Sequence, residues 1–377
     1  MTTSLDIAVA GAGVGGLTCA LALLAQGHQV TVYEQAAGFS HVGADINLTP
    51  NAVRTLDGLG LGEGIRRTAA RPSFRISRDW DTGQETSRLV MGDTAEQRYG
   101  SPQLTIHRAE LLKVLAQAFP AQQVHFSKRL QTLEVSPHDS TLFFADGSHA
   151  RHQVLIGADG IHSRVRAALF GEESPRFTQV VSYRAVVPTA RVSHLPDIGA
   201  FTKWWGPQAD SQIVTFPLNQ GQDTFVFATT GQQDWLEDSW TSAGDVDELR
   251  SHYRGFHPDA RALLDACDSV LKSALYERDP MPRWTQDQVA LLGDACHPML
   301  PFMAQGAGMA LEDAIVLSRC LGSGSQTVSQ ALLRYQRTRS ERTARIQIGS
   351  RGNQWMRTQG NADGVYGYDA WQTPLAD

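Results

Sequence analysis

No two of the four cysteines, Cys19, Cys267, Cys296 and Cys320, stand at CxxC spacing. The sequence therefore suggests neither a zinc site nor a redox dithiol, and buried thiols with no bound metal are expected. No run approaches 18 unbroken apolar residues, which excludes a membrane-crossing helix. Basic blocks are missing too. Lys and Arg number 33 against 39 Asp and Glu, for a net charge of −6, and nothing forms the clustered positive footprint that nucleic-acid binding needs. No basic segment precedes an apolar stretch at the N-terminus. Ile7–Ala10 runs straight into glycines, a strand entering a turn and not a secretory signal, so a cytoplasmic chain is expected. Internal repeats and low-complexity segments are absent. What remains is a chain of 377 residues, 42% hydrophobic and 19% charged. That is ordinary for a globular protein and long enough for two structural domains.

The hydrophobic pattern supplies the organisation. Asp6–Ala10 reads as a strand, Val14 to about Gln26 as a helix, and Gln29–Tyr33 as a second strand ending at Glu34, together the size of one βαβ unit. Asn51–Leu61 and Arg108–Phe119 have helical periodicity. Residues 72–99 alternate charges with β-formers around a turn at Asp81-Thr-Gly83 and read as an antiparallel insertion. His125–Ser136 and Thr141–Phe144 read as paired strands, and Val154–Gly157 and Val289–Leu292 as short buried ones. Residues 178–281 are mostly strand-like, interrupted by a helical stretch at Val246–Tyr253. Two helices follow near 304–321 and 328–350. The expected fold class is α/β. A discontinuous Rossmann-like domain takes residues 1–72, 100–176 and 282–350, a mainly antiparallel β-sheet domain takes 73–99 and 177–281, and 351–377 form a C-terminal tail.

Three motifs carry chemistry. Gly11-Ala-Gly13-Val-Gly15-Gly16 follows a strand and opens a helix. Gly11 permits the tight turn, Gly13 lets backbone approach a pyrophosphate, and Gly16 lets helix and strand pack closely. Glu34, 23 residues after Gly11, ends the next strand, where an acid accepts ribose hydroxyls. This motif alone leaves NAD and FAD equally open. The second motif, Val154–Arg166, is a strand running into Asp159-Gly160 and then Ser163. The third, Leu291–Pro301, is a strand ending at Gly293-Asp294, with a glycine-rich helix start at Gly306, Ala307 and Gly308. A carboxylate at the end of a buried strand suits another ribose or ribitol hydroxyl. The helix start suits the negative charge of a reduced flavin ring.

In that order, the three motifs resemble those of the class A, single-component flavoprotein hydroxylases, the family with the para-hydroxybenzoate-hydroxylase-like fold that includes salicylate and 6-hydroxynicotinate hydroxylases. His107-Arg108-Ala-Glu-Leu-Leu112 resembles the family's HRxxLL helix start. The resemblance implies FAD held by Gly11, Gly13, Gly15, Gly16, Glu34, Gln35, Arg108, Leu130, Asp159, Asp294, Gly306 and Ala307. It implies NADH or NADPH as co-substrate. Dioxygen would add at flavin C4a, and the hydroperoxide would hydroxylate a small aromatic or pyridine ring, with decarboxylation if the attacked carbon bears a carboxylate. A monomer or homodimer without nucleic-acid or membrane partners is expected.

Around the substrate the resemblance weakens. Asn47 and Thr215 stand where 6-hydroxynicotinate enzymes carry a histidine and a tyrosine base, and Thr202, Ser211 and Phe302 replace polar or ionisable pocket positions. These five, with Pro301 beside the flavin and Trp205, form the expected catalytic and substrate set. Of Trp204 and Trp205 at most one faces a pocket, since neighbours on a strand point oppositely. A substrate other than 6-hydroxynicotinate is expected. His297 reads as fixing the loop before Pro298 rather than as a base. Arg164 and Arg166 read equally as attracting NAD(P)H phosphates or as solvated charges, and Arg184 as serving the domain interface. Two further readings stay open: a flavin reductase or oxidase on the same scaffold, and a non-catalytic FAD-binding protein.

Overall fold

A computed structural model describes residues 4–39, 45–235, 242–322, 326–358 and 360–377. Two large sheets dominate. The first has six strands in the order Thr285–Gln286, Val289–Leu291, Val154–Gly157, Asp6–Ala10, Gln29–Tyr33 and Val124–His125, all parallel except the edge pair Thr285–Gln286 with Val289–Leu291. Its central strands are almost entirely apolar and buried, because helices cover the sheet. Helices Val14–Ala25 and Gly306–Gly322 pack against each other there and bury Leu17, Leu23, Leu311 and Ile315.

The second sheet has eight strands: Ser242–Gly244, Val270–Glu277, Arg176–Pro188, Asp223–Gly231, Gln212–Leu218, Phe201–Trp205, Phe74–Asp79 and Glu85–Val90. All neighbours are antiparallel except Phe201–Trp205 with Phe74–Asp79. One face carries Trp204, Ile213, Val226 and Ala228 into a core closed by helices Val246–His252 and Pro258–Asp265. The alternate residues, Phe201, Lys203, Val214, Phe216, Phe225 and Phe227, turn the other way and roof a cavity above the first sheet.

Three expectations shift. The insertion at 72–99 ends in a helix, Gly92–Tyr99. A second helix, Pro258–Asp265, breaks the strand-rich middle, and its signal was present as Pro258 at the first helical turn behind a capping His257. The C-terminal segment is packed against the rest of the chain. Met356 accepts a hydrogen bond from Ser77 of the roof sheet, Asn353 bonds Lys203, and Arg342 and Arg319 reach the carbonyls of Val365 and Ala370. The segment thus ties the roof to the half built on the first sheet. Among the described residues no helix is long and apolar enough to cross a membrane. All four cysteines are buried, and no disulfide joins them.

Candidate active site

The floor of the cavity begins with glycine geometry. Gly11 has φ +103°, and a Cβ there would lie 2.4 Å from the Ala158 carbonyl oxygen. A Cβ on Gly16 would lie 2.0 Å from the Gly11 oxygen. Any side chain at either position would push the helix off the sheet. Gly13 differs: nothing lies within 4 Å of where its Cβ would stand. That space fronts the first turn of helix Val14–Ala25, which has no side-chain cap and no acidic residue in that turn. Its unpaired N–H groups and dipole favour an anion, and the cradle fits the pyrophosphate of a dinucleotide. Glu34 stands beside it, accepting the Ala12 and Ala36 amides at 2.8 Å each. Each carboxylate oxygen keeps a lone pair for a hydroxyl.

Across the floor, Gly293, Asp294, Gly306 and Ala307 line the same cavity of about 380 Å³, an ordinary size for a ligand site. Asp294 is exposed and lines the cavity. Burial by the surrounding protein pushes its carboxyl pKa up, with His297 and Arg108 acting against this. Arg108, the first residue of helix Arg108–Ala118, also lines the cavity. Gln35 is exposed just beyond Glu34, and Leu130 is buried at the start of strand Leu130–Val135. Both stand outside the cavity on the Glu34 side, where the Lys128 amide bonds the Glu34 carbonyl.

A buried polar network fixes the glycine-rich helix start. Gln305 Nε2 donates to Thr49 Oγ1 at 2.9 Å, and Asn51 Nδ2 donates to Glu312 Oε1 at 2.7 Å. Arg342 Nε donates to Glu312 at 2.8 Å, and Arg339 Nε to Asp313 at 2.7 Å. His297 joins this network through Nε2, 2.5 Å from Asp313. Burial disfavours its charge, but Cys296 and Asp313 outweigh that and hold its pKa well above the usual value. The histidine is 1% exposed and lies outside the cavity lining, in keeping with a loop-fixing role, although the sequence showed it no partner. Cys296, His297 and Asp313 lie close enough to hold a metal ion, but Asp313 is already bonded to His297, Arg339 and the Gly293 amide.

Several expected residues stand elsewhere. Asp159 does not line the cavity. Its carboxylate accepts from Ser163 Oγ and from the Arg164 and Val165 amides, so it fastens the start of helix Arg164–Phe170. Thr202 and Thr215 pair across neighbouring strands and point away from the cavity, into a small recess with Trp204 and Leu263. The reason is strand alternation: Lys203 and Val214 are also paired and face inward, so their neighbours face outward. Ser211 sits in the turn before its strand, its carbonyl accepting the Gly206 amide, and does not reach the cavity. Trp205 is buried under Lys203, whose ammonium lies 3.7 Å from its ring centroid, and it too is outside the lining. Arg166 is paired with Glu173 at 2.5 Å. Arg184 is buried, and burial lowers its pKa while Asp45 raises it.

Asn47, Pro301 and Phe302 do line the cavity. Asn47 Oδ1 accepts from Gln103 at 2.6 Å, while its Nδ2 is buried without a hydrogen-bond partner. The sequence reading missed Arg75, Lys203 and Gln212, all lining residues of the roof. Lys203 Nζ donates to Asn353 Oδ1 at 2.5 Å. Burial, with Arg75 and Arg357 nearby, drives its pKa well below the usual lysine value.

Room for a pyrophosphate against Gly13 and an aromatic-roofed space beside it are the two requirements of a flavin that works on a ring. The chain is an FAD-dependent flavoprotein of the class A hydroxylases. It belongs to the FAD binding domain family, whose model matches residues 4–348. It is 39% identical to 6-hydroxynicotinate 3-monooxygenase of Bordetella bronchiseptica over 98% of this chain and 97% of that one. It is 36% identical to 3-hydroxybenzoate 6-hydroxylase of Polaromonas naphthalenivorans over 92% of this chain and 86% of that one. Among solved structures, a salicylate hydroxylase substrate complex superposes with a TM-score of 0.83 at 27% identity, over 97% of this chain and 96% of that one. Klebsiella pneumoniae HpxO with FAD and uric acid gives 0.82 at 26% identity, over 96% and 90%.

Proposed function

We propose that this protein uses NADH or NADPH, FAD and dioxygen to insert one oxygen atom into a small hydroxylated aromatic or pyridine ring. The observation that carries this reading is a cavity with the nucleotide cradle in its floor and aromatic rings in its roof. FAD, when bound, supplies the redox and oxygen chemistry, which no side chain here provides. The rest falls to the protein. Gly13 and the helix start at Val14 take the pyrophosphate, Glu34 a ribose hydroxyl, and Asp294 a further cofactor hydroxyl. The start of helix Gly306–Gly322 points its positive end at the cavity and favours negative charge there. Phe201, Phe216, Phe225 and Phe302 keep water from the reacting ring. Asn47 Nδ2 offers the ring a hydrogen bond.

The co-substrate has no nucleotide-binding unit of its own, because the sequence holds no second GxGxxG. Reduction therefore takes place at the FAD site, from a transiently bound nicotinamide. The substrate differs from 6-hydroxynicotinate, and the case now rests on Asn47 and Phe302, since Thr215 faces away. A screen of hydroxylated benzoates and pyridines for stimulated NAD(P)H oxidation, with products identified by mass, tests the proposal. A product richer by one oxygen atom is expected. Stimulated oxidation with unchanged ring compounds throughout would contradict it.

A further inference from the structure

One asparagine outside the cavity meets the roof sheet at three points. Asn353 caps the C-terminal end of helix Val328–Gly352, with φ 42° and ψ 42°. Asparagine is one of the few residues that adopt this left-handed backbone readily. The helix is anchored in the floor. Its Arg339 and Arg342 hold Asp313 and Glu312, and its Gln347 Nε2 donates to the Pro298 carbonyl at 2.8 Å. The helix end therefore has a fixed place beside the roof. Asn353 is 2% exposed and does not line the cavity. Its Nδ2 donates to the Ala209 carbonyl at 2.5 Å, in the turn between strands Phe201–Trp205 and Gln212–Leu218, and to Gln212 Oε1 at 3.3 Å. A carbonyl only accepts, so the amide has one orientation, and Oδ1 is left to accept from Lys203 Nζ at 2.5 Å.

We propose that Asn353 is a positioning residue for the ring reaction, fixing Lys203 in the cavity wall from the end of a helix anchored in the floor. The inference rests on the hydroxylase reading for its ligand and deepens it. Lys203 is 3% exposed and lines the cavity, with Nζ 3.7 Å from the Trp205 ring centroid and 5.7 Å from that of Phe302. A lysine stem carries about 2 kcal/mol of rotamer entropy. Unheld, the stem sweeps the space that a ring ligand would fill. Held by Asn353, it has lost that freedom before the ligand arrives, and binding no longer bears the cost.

Asn353→Gly, Asn353→Asp and Lys203→Met, singly and combined, test this in the FAD-bound protein with the hydroxylated ring compound that most stimulates NAD(P)H oxidation. Kd is read from the flavin absorption spectrum, kcat and KM from turnover. Glycine keeps the left-handed backbone and removes only the side chain, so FAD should be retained. Asn353→Gly is expected to raise Kd and KM about tenfold, with a smaller change in kcat. Asn353→Asp still offers Lys203 an acceptor and should recover part of that loss. In the Lys203→Met background, Asn353→Gly should add little. An unchanged Kd, or losses that simply add in the double variant, would overturn the proposal. If Asn353→Gly sheds FAD, Asn353→Asp with Lys203 intact and with Lys203→Met carries the comparison, and an effect independent of Lys203 overturns it. Kd needs no turnover. The absence of any hydroxylated product would therefore count against the wider function and leave the Asn353 comparison standing.

Discussion

The floor and the roof of one cavity are built on opposite terms. The floor is backbone and a hydrogen-bonded polar network: glycines that no side chain can replace, a helix start aimed at an anion, and carboxylates of Asp313 and Glu312 that each hold an arginine. The roof is side chain: aromatic rings, with an arginine and a lysine that find no acid among the described residues. The difference shows which half is finished before a ligand arrives. The floor fits a cofactor shared by a whole family, and its groups are fixed in place. The roof is lined by rings and buried basic side chains around open space.

If the floor is the rigid half, breaking its network should cost most. Asp313 is fully buried between His297 and Arg339. Asp313→Ala removes one partner of a buried ion pair, which costs about 3–5 kcal/mol. A clear fall in Tm is expected, and an unchanged melting curve would show that the network does not hold the floor. Asp294→Ala should act differently, because this side chain opens into the cavity. Losing a charge-assisted hydrogen bond to the cofactor costs about 1.5–3 kcal/mol, roughly a tenfold to hundredfold drop in FAD affinity. His297→Ala should instead lower Tm more than FAD affinity. Titration of the two variants with FAD, beside their melting curves, separates a ligand from a strut.

The roof sharpens the comparison through its two faces. Phe216→Ala should lower kcat/KM by about tenfold or more, given an aromatic contact of roughly 1.5 kcal/mol lost with its shielding from water. Thr215→Val, one residue away on the outer face, should leave kcat/KM unchanged. Equal effects would mean that the strand presents both faces to the substrate. The smallest effect belongs to His107, bonded through Nδ1 to Asp45 at 2.7 Å. That bond raises the imidazole pKa against burial. A folded-state pKa above the ordinary 6.5 means a contribution fully present below that value and lost as pH rises through the raised one. The Tm difference between wild type and His107→Asn should therefore shrink toward alkaline pH. A difference that grows with pH would assign the bond another role.

The floor was legible in the sequence because backbone geometry dictates it. Only glycine fits Gly11 and Gly16, and an acid at the end of the second strand has few other uses. Asp159 was the exception: a carboxylate at a strand end also suits a helix start, and spacing does not distinguish the two. The roof was less legible because a one-residue slip turns every side chain over. Positions carried from the resemblance put Thr202 and Thr215 in the pocket, whereas Phe201, Lys203, Val214 and Phe216 are there. Arg75 was hidden for a related reason. It stands in a stretch where charges alternate with β-formers, and that pattern does not say which face is covered; in the structure the C-terminal segment covers it with Trp355 and Met356.

Isotopically labelled dioxygen tests the central claim most directly. The FAD-bound protein is given NAD(P)H, the labelled gas and the hydroxylated ring compound that most stimulates oxidation, and the product is weighed. One labelled oxygen atom in the ring product, with NAD(P)H consumed in proportion, is the predicted result. An unlabelled ring, with all the electrons recovered as hydrogen peroxide, would contradict it and make the protein an oxidase built on a hydroxylase scaffold.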